Sequence, residues 1–388
     1  MPSLSSQLVT GLLIVTRYRH RLDSPSKVER YVREHTVRPA PYAPPRRLDR
    51  KVAFSVDTRH GWTCYTVVPR NSPTPTQQVL YVHGGGHIGE IISAHWSLIA
   101  KLANKGPAEV TVPIYPLAPH STASQTVPVA TDIAADLIAR NGAQNVTLIG
   151  DSAGGNIVLG IAQTLRRRGL PQPRQLVLIS PGLDASKSNP AIASVAPYDR
   201  VLSVAGSTAS TQLYIGKLES KDPLVSPLYA DLSGLAPMLV FSGTHDIHNP
   251  DACDFAARAR DAGVSVDYHE QPGAQHVYPL LPTAEGASAR TLITALVGSA
   301  AVGETRASRQ DETVQQSPPR QRREAHSQGG CLEVEDALSV FPADLCAVVV
   351  AEQRVVEPFD GVGHALVGLS VGRSDVFPTV SHGGFRGG

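Results

Sequence analysis

Apolar positions along this chain fall into short runs that alternate with longer stretches of helical spacing. Residues 62–68, 78–82, 109–113, 146–149, 175–180, 238–242 and 264–268 read as strands. Residues 127–140, 156–168, 251–262 and 284–297 carry apolar residues at helical spacing. Strands alternating with helices of this length predict an α/β fold: a mostly parallel central sheet with helices on both faces.

Three stretches stand outside the alternation. Residues 4–31 read as one or two short helices with a break at Asp23-Ser24-Pro25. A proline-crowded linker follows, with Pro39, Pro41, Pro44 and Pro45 each fixing its own φ and biasing its predecessor away from helix. Residues 184–218 interrupt the pattern between two strands, and together with 1–45 they could roof a site at the strand C-termini as a small helical cap. Residues 303–330 are polar, and residues 331–388 regain valines without a period, so 302–388 is expected to be a disordered C-terminal tail. The expected division is 1–45 for N-terminal cap helices and linker, 46–301 for the catalytic domain with its cap insertion at about 184–218, and 302–388 for the tail.

Charge narrows the function classes. With 35 Lys+Arg against 34 Asp+Glu the chain is close to neutral, which argues against nucleic-acid binding. The balance is uneven: residues 1–50 hold ten Lys/Arg and four Asp/Glu. Four cysteines in 388 residues make no disulfide framework, and no CxxC pair suggests zinc. No window reaches the roughly 18 apolar residues of a membrane span, and residues 8–15 lack the flanks of a signal peptide. The expectation is a cytoplasmic protein with no integral membrane span.

The chemistry concentrates in two glycine motifs. Gly150-Asp151-Ser152-Ala153-Gly154 follows an apolar strand and opens a helix. A serine at such a strand-to-helix turn presents its hydroxyl above the sheet, and the helix N-terminus aims backbone N–H groups at it. His83-Gly84-Gly85-Gly86 ends an earlier strand, where glycines let backbone amides approach a substrate oxygen. A phosphate loop is excluded because no G-K-[ST] follows. A zinc pair of His83 and His87 is excluded because three glycines between them will not hold a helix. For a base, His276 lies in a loop after the last predicted strand, with His269 as a neighbour at the strand end. For an orienting acid, Asp246 lies past the strand 238–242 in the order Ser, Asp, His, with Asp251 as its rival.

These motifs, with Tyr115-Pro116-Leu117-Ala118-Pro119, residues 222–228 and residues 231–235, resemble the bacterial hormone-sensitive-lipase family of α/β-hydrolase esterases over roughly residues 45–300. The resemblance implies Ser152 as nucleophile, His276 as base, Asp246 as its partner, and Gly85, Gly86 and Ala153 as oxyanion donors, with His83, Gly84 and Asp151 supporting the motifs. It departs at His87 and Glu90, where family members usually carry an aromatic residue and a glycine. The expected function is a serine carboxylesterase for short- to medium-acyl esters that needs no metal or cofactor. Its partner is a small-molecule ester, and the candidate assembly is a homodimer. The rival readings are an amidase or deacetylase of an N-acyl metabolite, and a non-catalytic ligand receptor on the same fold.

Overall fold

The most apolar runs of the sequence occupy the middle of one eight-stranded sheet. The computed structural model describes residues 2–70 and 75–299. The strands are β1 (Val52–Arg59), β2 (Trp62–Pro69), β3 (Gln77–Val82), β4 (Ala108–Ile114), β5 (Val146–Asp151), β6 (Gln175–Ile179), β7 (Met238–His245) and β8 (Val266–Gln275). Their order is β1-β2-β4-β3-β5-β6-β7-β8. The pairs β1/β2 and β2/β4 are antiparallel, and every later pair is parallel. All positions of β3, β5 and β6 are buried, as expected of strands covered on both faces.

The helices are α1 (Leu4–Val15), α2 (Pro25–Val37), α3 (Ser93–Lys105), α4 (Ala123–Asn141), α5 (Ala153–Arg167), α6 (Ile192–Val195), α7 (Val204–Ile215), α8 (Asn249–Asp261) and α9 (Ala284–Gly298). The period-2 alternation of the strands sorts their side chains between two cores. Leu80, Val82, Leu148, Leu176 and Leu178 pack with Ile133, Ile157, Ile161 and Phe255 of α4, α5 and α8. Val79, Tyr81, Ile149, Val177 and Ile179 pack with Trp96, Ile99, Leu102, Ile293 and Val297 of α3 and α9. The α/β hydrolase fold is therefore present, with helices on both faces.

Two elements are absent from the sequence reading. Strand β1 is an edge strand with half of its positions exposed, so its polar residues hide the period. Helix α3 lacks the usual start signal because its N-cap is Ile92. From within the helix, His95 Nδ1 accepts the Ile92 N–H at 3.0 Å. Strand β8 also runs on to Gln275, well beyond the 264–268 expected.

The segments read as a cap meet each other. Leu13 of α1 packs with Val201, Ser203 Oγ donates to the Leu22 carbonyl at 3.4 Å, and Val28 of α2 joins the core beneath. Ser3 ties the N-terminal segment to α9 through Glu285, donating its N–H at 2.6 Å and its Oγ at 2.7 Å. The expected tail, 302–388, lies outside the described residues. Among those described, no helix is long and apolar enough to cross a membrane.

Candidate active site

Strand β5 ends at Asp151 and α5 begins at Ala153, so Ser152 alone makes the turn. Its φ of 51 and ψ of −117 lie where L-residues are strained, at a cost of about 1–3 kcal/mol. Neighbouring backbone holds it there: Ser152 N–H donates to Ile179 O at 2.8 Å, and its carbonyl accepts from Gly182 N–H at 3.2 Å. The flanking glycines are required by space. A Cβ on Gly154 would land on the Val82 carbonyl oxygen, and one on Gly150 would land on the Gly154 carbonyl.

His276 follows the last residue of β8 and points back across the sheet. Its Nε2 lies 2.9 Å from Ser152 Oγ and its Nδ1 lies 2.8 Å from Asp246 Oδ2. Asp246 is fully buried just past β7, and its Oδ1 accepts the His248 N–H at 2.9 Å. Burial works against both charges, but each partner overrides it. Asp246 is held at about 2 by the His276 and His248 side, and His276 is held above its ordinary value by Asp246, with Asp199 behind. Asp199 is itself pushed up to about 6 by burial and by the Asp246 charge. Ser180 Oγ accepts the Val277 N–H at 3.0 Å, fixing the loop just after the histidine.

The glycine loop after β3 faces the serine. Gly85 and Gly86 adopt φ of 117 and 62, open to glycine and strained for other residues. Among the described residues, the N–H groups of Gly85, Gly86 and Ala153 have no protein acceptor. Asp151 locks this loop to the elbow. Its Oδ1 accepts Tyr81 Oη at 2.7 Å and Gly84 N–H at 3.1 Å, and its Oδ2 meets His95 Nε2 at 3.2 Å. Because His95 Nδ1 accepts from Ile92, Nε2 must carry the proton given to Asp151. Burial pushes Asp151 up, but the His95 side chain and these hydrogen bonds bring it below the ordinary carboxylate range. Tyr115 Oη donates to the His83 carbonyl at 2.8 Å and the two rings stack at 4.4 Å.

Ser152, His276, Gly85 and Gly86 line a cavity of about 700 Å³. Its far wall comes from α2 and α7, including Tyr31, His35, Ser207 and Ser210. His87, the first departure from the family pattern, stacks face to face on Tyr214 at 3.6 Å, so an imidazole covers that wall. Glu90, the second, also lines the cavity and is pushed up by burial.

Of the residues expected at a site, the structure brings Ser152, His276, Asp246, Gly85, Gly86 and Ala153 together, with His83, Gly84 and Asp151 directly behind them. His269 sits within β8 against Phe241, and Asp251 lies in the first turn of α8 without touching His276. Sequence reasoning missed His95, Tyr81, Ser180 and Asp199, which lie far from their partners along the chain. Asp246, His248 and His276 bring ligand atoms within 4.8 Å of one another. Two of the three already satisfy each other and His276 Nε2 faces Ser152, so the set fits a proton relay better than a cation.

Comparison with known proteins agrees with the fold. A family profile described as alpha/beta hydrolase fold matches residues 79–280. A triacylglycerol lipase of Mycobacterium tuberculosis is 35% identical over 207 residues, 53% of this chain and 42% of the lipase. An esterase of Acinetobacter venetianus is 29% identical over 195 residues, 50% of this chain and 64% of the esterase. The matched stretch thus spans less than two thirds of either relative. A crystal structure of an esterase from the bacterial hormone-sensitive lipase family superposes with a TM-score of 0.65 at 26% identity, covering 77% of this chain and 98% of that one.

Proposed function

The chain belongs to the α/β-hydrolase-fold family and resembles its hormone-sensitive-lipase esterases, and from that premise we propose that it is a serine carboxylesterase acting on short- to medium-acyl esters. The observation that carries the reading is the unbroken line Ser152 Oγ, His276 and Asp246, at 2.9 and 2.8 Å, opposite the unpaired N–H groups of Gly85, Gly86 and Ala153.

Ser152 Oγ attacks the ester carbonyl carbon while His276 Nε2 takes its proton. The carbonyl oxygen becomes an oxyanion held by the three backbone N–H groups, which are already oriented and have no protein partner to give up. Collapse breaks the bond to the alcohol oxygen, and His276 returns the proton to the departing alkoxide. Water then repeats the sequence on the acyl-enzyme: His276 takes its proton, the carbonyl reforms, and Ser152 recovers the proton. Asp246 holds the Nδ1–H tautomer throughout and stabilises the imidazolium. A cavity of about 700 Å³ is within the range that encloses small ligands.

The test is a series of p-nitrophenyl esters of increasing acyl length beside matched anilides. The reading expects turnover of the esters with a maximum at short or medium chains. Cleavage of anilides in preference to esters would move the assignment to an amidase, and no turnover of either would remove it.

A further inference from the structure

Lys187 is a cation of the cavity wall that the proposed chemistry does not use. Lys187 lies on the 184–189 loop between β6 and α6 and lines the same cavity as Ser152, Asn156 and His248. Its backbone is held at φ 52. The adjacent acid, Asp184, makes no ion pair with it. Asp184 Oδ1 takes the Ser186 N–H at 2.8 Å and Oγ at 2.6 Å, and its Oδ2 takes the Ser188 N–H at 3.2 Å, Ser188 Oγ at 3.1 Å and Tyr229 Oη at 3.1 Å. Lys187 Nζ is left with the Asp184 backbone carbonyl at 3.0 Å. An ammonium has three donors, and no described carboxylate lies within 4.0 Å of it.

The position is central. The Lys187 charge acts on His87 and His248, and Asp251, Asp184 and Asp246 act on it in turn. Burial pulls its own pKa down. A desolvated ammonium with spare donors is a poor structural element and a good receptor for an anion. The cavity mouth adds Arg19 and Arg21, while Lys27 there is paired with Asp23 at 2.7 Å and Arg30 with Glu34 at 3.9 Å.

We propose that Lys187 recognises a carboxylate carried by the substrate, so that the site prefers esters with a free carboxylate on the acyl or the alcohol arm over their neutral counterparts. This inference rests on the esterase reading for its turnover, but its anion site stands on geometry alone. Asp251 is the competing partner for the lysine, since its charge acts on Lys187 and its Oδ1 has no described partner.

The experiment compares kcat/KM for two substrate pairs in the wild type, Lys187→Met and Lys187→Arg. Mono-p-nitrophenyl glutarate against p-nitrophenyl pentanoate probes the acyl arm. The ester para-acetoxybenzoate against para-acetoxybenzamide probes the alcohol arm. The carboxylate-to-neutral ratio of one pair should fall about tenfold or more in Lys187→Met, mainly through KM, as expected for losing a charge-assisted hydrogen bond. Lys187→Arg should keep most of it. Thermal melts with glutarate and with benzoate are read alongside, because they need no turnover. A shift in the wild type that is lost in Lys187→Met supports the anion site even in an inactive chain, and that result would sink the esterase reading alone. Active enzyme whose two ratios stay within about twofold on substitution, with no anion-dependent shift, overturns the proposal and leaves Lys187 as the counterion of Asp251.

Discussion

Replacing Asp246 with Asn tests the relay without changing side-chain size. Asp246 Oδ1 accepts the His248 N–H at 2.9 Å, while Oδ2 faces His276 Nδ1 at 2.8 Å. An amide offers one acceptor and one donor side. The His248 N–H is fixed by the backbone, so it claims the amide oxygen, and the new NH₂ turns toward Nδ1. Nδ1 must then accept, which moves the ring proton to Nε2. Nε2 faces Ser152 and can no longer take its proton. A wrong-tautomer substitution of this kind costs on the order of 10⁴ in kcat in a Ser-His-Asp protease, equivalent to about 5 kcal/mol of barrier. The assay is p-nitrophenyl ester hydrolysis from acid to mildly alkaline pH, with a thermal melt to confirm folding. A second readout is Asp199, whose carboxyl stands at about 6 partly because of the Asp246 charge and should titrate lower in the variant. A folded Asp246→Asn chain with kcat within about tenfold of wild type would refute the reasoning, since that loss is far below the tautomer effect.

Three further outcomes follow from the same geometry. His276 must be neutral to act as base and Asp246 holds it above its ordinary 6.5, so hydrolysis should fall as pH drops through a midpoint above that value; a midpoint below it in a kcat/KM profile contradicts the pairing. Gly154→Ala puts a Cβ onto the Val82 carbonyl, which no side-chain movement relieves, so it should lower stability by at least about 2 kcal/mol in denaturant melts; an unchanged midpoint would mean the elbow is looser than described. His95→Ala removes a donor from buried Asp151 and should cost ~3 kcal/mol while also lowering kcat through a loosened Gly84–Gly86 loop; a purely stabilising or silent result would detach that loop from Asp151.

The legible parts of the chain were those where neighbours in sequence are also neighbours in chemistry. The Gly150–Gly154 turn and the His83–Gly86 loop carry their conformational needs in adjacent residues, and the buried strands show as apolar runs because both faces are covered. The edge strand β1 did not show, because exposed positions tolerate Ser55, Asp57 and Thr58. The supports of the site were invisible for another reason. His95 reaches Asp151 across 56 residues and Tyr81 reaches it across 70, and no local pattern encodes such distances. Asp199 arrives behind Asp246 from the 184–218 insertion, through its bonds to the N–H groups of Val201, Leu202 and Ile247. The joint placement of Ser152, Asp246 and His276 came from chain order and from resemblance, since periodicity says nothing about which loops converge.

The central claim is that Ser152 is the activated nucleophile of this site. Its most direct test is labelling of the intact chain with a fluorophosphonate, followed by peptide mass spectrometry and parallel ester hydrolysis. The account predicts a single adduct on Ser152, loss of hydrolysis in step with labelling, and neither labelling nor hydrolysis in Ser152→Ala. An adduct on another serine, or a Ser152→Ala chain that still turns over the ester, would contradict it.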